Sequence, residues 1–241
     1  MPLTIEFYFA IVAVLIAGIL RGFSGFGAGM VLVPSLSLLY NPMVAVVSVV
    51  LLETIPAIQL LPNVISKCHW RSVIPMSLAS IVTIPMGSLI LVNADVDVMR
   101  NSISILVLLS VFILAIGWQY KGGYSLKAST ITGVASGLIS GATSLGGLPV
   151  ILYYLSGSQE TKVTRASIIV FLVITVLVSL LTYTTYGIIT SEVLLRTAML
   201  APFFIVAIWF GGRLFGKASE ALFRMITLLL LGSVGLAMLF S

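Results

Sequence analysis

Few residues in this chain of 241 are equipped for chemistry. It has one histidine, His69, and one cysteine, Cys68, beside twelve Lys or Arg and seven Asp or Glu. A lone cysteine excludes an internal disulfide, and an adjacent Cys-His pair lacks the three or four spaced ligands of a zinc site. Both read as loop residues, and no metal or cofactor is expected. Two charges stand apart, Arg21 and Glu53, inside long apolar stretches. An ion at membrane depth costs about 2.5–3.5 kcal/mol on insertion scales, so each is a candidate for function. Arg21 can add positive potential at an anion site. Glu53, its pKa raised by burial, can carry a proton for coupling. The alternative is an Arg21–Glu53 ion pair that fixes helix register.

The second kind of candidate is backbone. "GFSGFGAGMVLVPSL", residues 22–36, sets four glycines and a proline in an apolar run, and "ISGATSLGGLPVIL", residues 139–152, echoes it. In hydrocarbon every N–H and C=O must be paired, so irregular backbone survives only against protein or a water-lined cavity. Interrupted helices in matching positions of two repeats mark transporter binding sites, where half-helix N-termini offer N–H groups and a positive dipole end to an anion. On this reading Gly25, Gly27, Gly29, Gly141, Gly146 and Gly147 bring amides close to a small anion, and Ser24, Ser140, Thr143 and Ser144 add hydroxyls. The competing reading is helix packing, because Gly18/Gly22, Gly25/Gly29 and Gly133/Gly137/Gly141 have small-xxx-small spacing. A dinucleotide loop is set aside, since "GFGAG" has no strand–turn–helix context.

The elements that must hold these residues are membrane helices. Hydrophobic residues make up 60% of the chain and charged ones 8%, and mean hydropathy is +1.23. No ionic residue falls between Arg21 and Glu53, Arg71 and Asp95, Arg100 and Lys121, or Arg165 and Glu192. Each gap holds the ~20 residues that cross a bilayer. The net charge of +5 is dispersed in ones and twos, which argues against nucleic acid. The N-terminal stretch has Glu6 where a leader would be basic, and is read as retained. The fold class expected is an all-α polytopic membrane protein with seven to nine transmembrane or re-entrant helices.

Two halves, roughly 1–120 and 121–241, read as homologous repeats. The Ser-Gly match gives an offset of 115–116, and Gly87…Arg100 against Gly211…Arg224 gives 124. Parity decides their orientation. If each glycine segment is one broken span, the halves are parallel and the loop Lys and Arg divide five against six. If each is a hairpin, the halves are inverted. Then Lys67, Arg71, Lys121, Lys127, Lys162, Arg165, Arg213, Lys217 and Arg224 share one face, with Arg100 and Arg196 opposite. Nine against two satisfies the positive-inside rule, so inverted repeats with both termini outside are predicted.

With these motifs, the chain resembles the sulfite exporter TauE/SafE family, the toluene-sulfonate uptake permeases. The resemblance rests on "GFSGFGAGMVLVPSL" near the start, "GLISGATSLGGLPVILYYL" at the middle and two similar halves, and it covers essentially the whole chain. It implies a bacterial cytoplasmic-membrane permease for small anions such as sulfite or sulfonates. The motif positions it implies are Ser24, Gly25, Gly27, Gly29 and Pro34, then Ser140, Gly141, Gly146, Gly147 and Pro149, with "ATSLGG" in place of "FGAG" in the second copy. The expected function is a secondary transporter working by alternating access, with a passive anion channel as runner-up. An enzyme is not expected, as the spans hold no carboxylate pair or metal cluster. The lipid bilayer and a small anionic substrate are the expected partners, and glycine-rich outer faces leave room for a homodimer.

Overall fold

The computed structural model describes residues 5–25, 27–117, 123–155, 160–214, 232–235 and 237. Every regular element among them is helical: α1 (Ile5–Ser24), α2 (Ala28–Leu39), α3 (Pro42–Val64), a 3₁₀ turn (Ile65–Lys67), α4 (Trp70–Asn93), α5 (Val96–Ile116), α6 (Leu126–Thr143), α7 (Gly147–Leu155), α8 (Thr161–Thr185) and α9 (Ser191–Leu214). Six of these, α1, α3, α4, α5, α8 and α9, are long and apolar enough to cross a bilayer. The glycine-rich runs supply instead the 12-residue α2 and the 9-residue α7, which fall short of a crossing. The apolar run at 221–240 lies mostly outside the described residues, as do Lys121, Lys217 and Arg224.

The chain forms two compact units. One comprises Met1–Leu52, Ala94–Ile116 and Ile189–Ser241, the other Glu53–Asn93 and Gly117–Ile188, so the chain passes from the first to the second within α3. Each unit draws on both sequence halves.

In the first unit α1 lies on α9, and glycines make the approach possible. A Cβ on Gly22 would sit 2.1 Å from the Ile208 carbonyl oxygen, and one on Gly211 would sit 2.2 Å from that of Ile19. Gly18 faces Phe204 and Ala207, and Gly22 faces Ile208 and Gly212. Numbers rise together, so the two helices run in the same direction. α2 packs against α1 and α5.

The second unit repeats this arrangement with other helices. Gly133 meets Met76, Gly137 meets Ser80 and Thr83, and Gly141 meets Ile84 and Ser88, while Gly87 meets Leu138. α4 and α6 are therefore parallel and nearly in backbone contact, as small-residue membrane interfaces allow. α8 runs alongside them in the same sense. Near its start the Ser167 hydroxyl accepts from the His69 amide at 2.9 Å, and near its end the Tyr183 hydroxyl donates to the Gly141 carbonyl at 2.8 Å. Ala57 of α3 closes a small apolar cluster with Ile169 and Val173 of α8.

Hydroxyls inside these helices are mostly spent on their own backbone. Ser88 donates to Ile84, Ser110 to Leu106 and Thr182 to Val178, each one turn earlier. Such bonds let serine and threonine sit in a membrane helix without an unpaired polar group.

Candidate functional site

The first glycine motif is a turn between two helices. α1 stops after Ser24 because Gly25 takes φ 83°, a left-handed conformation that glycine adopts without strain. Its amide closes the helix on the Arg21 carbonyl at 2.8 Å. Gly27, at φ 92°, is the N-cap of α2. Among the described residues, its chain neighbours aside, no atom lies within 4 Å of where its Cβ would be, so they leave space at this position. The side chain of Ser24 lies outside the described residues, and Gly29 follows in the first turn of α2.

Arg21 is buried at 3% exposure, and its guanidinium donates to the Gly25 carbonyl. That placement matters electrostatically. The C-terminal end of α1 is the negative end of its dipole and the N-terminal end of α2 the positive end. The Arg21 guanidinium on the Gly25 carbonyl, just past the end of α1, opposes the negative end of that dipole.

The second motif is built differently. The sequence match places the break at Ser140-Gly141, but α6 continues through both and ends at Thr143. The left-handed residue is Ser144, φ 58°, whose amide bonds to the Ser140 carbonyl at 2.8 Å. The Thr143 hydroxyl donates back to Ile139 and accepts the Leu145 amide. Gly141 is a packing glycine, its missing side chain facing the Ile84 carbonyl and the Ser88 amide. Gly146 is one too: a Cβ there would fall 1.9 Å from Ser140 Oγ and 2.3 Å from the Ser136 carbonyl. Gly147, the first residue of α7, has only an ordinary contact with Leu172. Superposing the two motifs by helix ends and glycine contacts would set Gly18, Gly22, Gly25 and Gly27 beside Gly137, Gly141, Ser144 and Gly146, an offset of 119. In that register Ser140 stands where the first turn has Arg21. The Tyr183 hydroxyl, a neutral group, meets the last carbonyls of α6 in place of a guanidinium.

After this turn α7 folds back along α6. The Ser136 hydroxyl donates to the Gly146 carbonyl, and Ser129 Oγ pairs with the Tyr153 hydroxyl at 2.7 Å. Later residues of α7 meet earlier residues of α6, so the pair is a hairpin. Glu53 is the first residue of the second unit and is buried at 8% exposure.

A polar cluster that sequence reasoning missed closes the start of this hairpin. His69 Nδ1 lies 2.8 Å from Ser72 Oγ, which lies 2.6 Å from the Tyr154 hydroxyl. Tyr124 packs against His69, Tyr153 and Tyr154 with ring centroids 5.2–5.6 Å apart. Burial raises the pKa of Tyr124, partly opposed by a hydrogen bond with Thr164, so its hydroxyl stays protonated at neutral pH. Tyr153 and Tyr154 stand in an apolar string, "VILYYL", that reads as core. The available signal was that each had a serine within reach only after α7 turned back.

The family model for the sulfite exporter TauE/SafE proteins matches residues 10–238. The chain belongs to the sulfite exporter TauE/SafE family. Neither the curated proteins nor the solved structures yield a match. Membership makes the chain a membrane protein of an exporter-type transporter family, and its six long apolar helices agree with that role. For a TauE/SafE chain the two turns are therefore features of a transport protein, and they differ. At the first turn the Cβ position of Gly27 is clear of the described residues beyond its chain neighbours, and Arg21 lies beside it; the turn at Ser144–Gly146 is filled by α6.

Proposed function

We propose that this chain is a secondary transporter for a small anion, of the sulfite, sulfonate or related organosulfur class, working by alternating access. The observation that carries the reading is the turn of the first unit, where α2 begins at Gly27 beside a buried arginine, Arg21. Helix N-termini bind anions through N–H groups that have no acceptor within the helix. Arg21, Gly25, Gly27 and Gly29, with Ser24, form the principal contact. Ser140, Thr143, Ser144 and Gly147 contribute at the second turn, where Gly146 lets the hairpin close on α6 and Gly141 lets α6 close on α4. Glu53 carries the coupling proton.

We further propose that the halves are inverted repeats in the bacterial cytoplasmic membrane, with both termini outside. Support comes from the second unit, where Lys67, Arg71, Lys127, Lys162 and Arg165 all lie where α4, α6 and α8 begin. Those three helices run in one direction, so the five cations gather at one end, as the positive-inside rule asks of a cytoplasmic face.

The test is uptake by proteoliposomes of labelled sulfite, sulfoacetate, taurine, sulfate and acetate, with and without a pH gradient. Saturable uptake of an organosulfur anion that responds to the gradient, with the response lost in Glu53→Gln, is the expected result. Movement of an uncharged solute but of no anion overturns the anion reading. Conduction indifferent to pH and to Glu53→Gln makes the protein a pore.

A further inference from the structure

A second cavity in the same chain has the chemistry of an anion site. It lies in the second unit, has a volume of about 440 Å³, and is lined by His69, Arg71, Ser72, Tyr124, Ser125 and Ser129 together with Leu126. That volume falls within the ~300–1,000 Å³ of small-ligand pockets. Arg71 and Ser125 are exposed at the mouth, while Ser72 and Ser129 are buried at 2% and 1%.

Four features of the wall point the same way. Arg71 supplies a full positive charge. Ser125 supplies a hydroxyl at the start of α6, where its oxygen accepts from the Ala128 amide, while Tyr124 donates to the Tyr154 carbonyl, Ser72 to the His69 carbonyl and Ser129 is paired with Tyr153. None of the described lining residues is acidic. Two helices begin here, α4 at Trp70 and α6 at Leu126, and because they are parallel both present their positive dipole ends to the same space. His69, the one histidine of the chain, is held by Ser72 Oγ at Nδ1.

We propose that this cavity binds a tetrahedral oxyanion, held by the Arg71 guanidinium and the Ser125 hydroxyl at the starts of α4 and α6. The site is separate from the glycine turns and does not depend on the transport reading. A free oxyanion and the phosphate of an anionic lipid headgroup share this chemistry. Beside the polar cavity, across the Ser129–Tyr153 hydrogen bond, an apolar one of about 470 Å³ is lined by Ile131, Pro149 and Leu152, with Lys127 and the shared Ser125. An acyl chain would fit there.

Trp70 precedes Arg71, so its fluorescence reports occupancy in a Trp118→Phe/Trp209→Phe background. The purified protein is titrated with sodium sulfate, and separately with short-chain phosphatidylglycerol against phosphatidylcholine. A saturable change with sulfate, weakened at least tenfold in Arg71→Gln and restored in Arg71→Lys, establishes a free-oxyanion site. A change with phosphatidylglycerol alone, with the same dependence on residue 71, establishes a headgroup site. No saturable response to either probe overturns the proposal. So does a response that Arg71→Gln leaves intact, with a normal thermal melt showing that the variant is folded. A response untouched by Arg71→Gln but lost in Gly27→Asn would put the anion at the first turn, overturning the cavity while leaving the transport reading in place.

Discussion

Glycine has two uses in this molecule, and they make opposite predictions for single residues. Gly27 is needed for its φ of 92° and has open space where a side chain would go, so Gly27→Asn can keep the turn, because asparagine tolerates left-handed backbone. The variant should melt within about 1 kcal/mol of the parent yet lose most anion uptake, as its amide group occupies the space beside the turn. Normal uptake in a well-folded variant would remove the turn from the site. Cys68 offers a second residue-scale test. Burial pushes its thiol up to about 11, against a lowering hydrogen bond from Ser167. The thiolate is the reactive form, so maleimide labelling of native protein at pH 8 should be at least ~10-fold slower than in denatured protein, and should quicken as pH rises toward 11. Labelling equally fast in both states would show the thiol to be open and ordinary. The sequence made Arg21 and Glu53 conspicuous through their isolation. It could not tell an open turn from a filled one, since that depends on what packs beside each glycine.

Among helices, the same ambiguity explains why the repeat register differs from the sequence match. Matching Ser24-Gly25 with Ser140-Gly141 pairs a left-handed turn glycine with a glycine inside a helix. The physical equivalent of Gly25 is Ser144, which no residue-type match would select. Segment existence was legible because apolar runs of span length have few alternatives. Helix ends were not, because α6 stops before a serine in left-handed conformation while passing through three earlier glycines that look like breakers. The role of those glycines predicts a large effect of a small change. In Gly141→Ala the new Cβ would press on the Ile84 carbonyl at 2.1 Å and the Ser88 amide at 2.8 Å, backbone atoms that cannot rotate away. Separating α4 from α6 should cost about 1–3 kcal/mol, seen as a lower melting temperature in detergent. Tyr153→Phe should cost about 1 kcal/mol by leaving the buried Ser129 hydroxyl without its 2.7 Å partner. A melt unchanged by Gly141→Ala would mean that the α4–α6 contact is looser than described.

For the molecule as a whole, the halves seen in sequence and the units seen in structure divide the chain differently. α1 of the first half lies with α9 of the second, and α4 of the first with α6 of the second. Sequence matching follows the order of the chain, whereas compactness follows contact, so a pairing of helices from different halves leaves no trace in composition. The hairpin of α6 and α7 bears directly on topology. Because α7 returns along α6, α8 starts on the side where α6 started, and Lys67 and Lys162 should face the same compartment. A single broken span at this position would put them on opposite sides. In a Cys68→Ser background, Lys67→Cys, Lys162→Cys and Asp97→Cys can each be labelled with a membrane-impermeant maleimide in intact and in permeabilised cells. Residues 67 and 162 should react only after permeabilisation, and residue 97 in intact cells. Residue 162 reacting with 97 rather than with 67 would mean that α6 and α7 carry the chain across, and the inverted-repeat proposal would fall with the positive end it assigns to the cytoplasm.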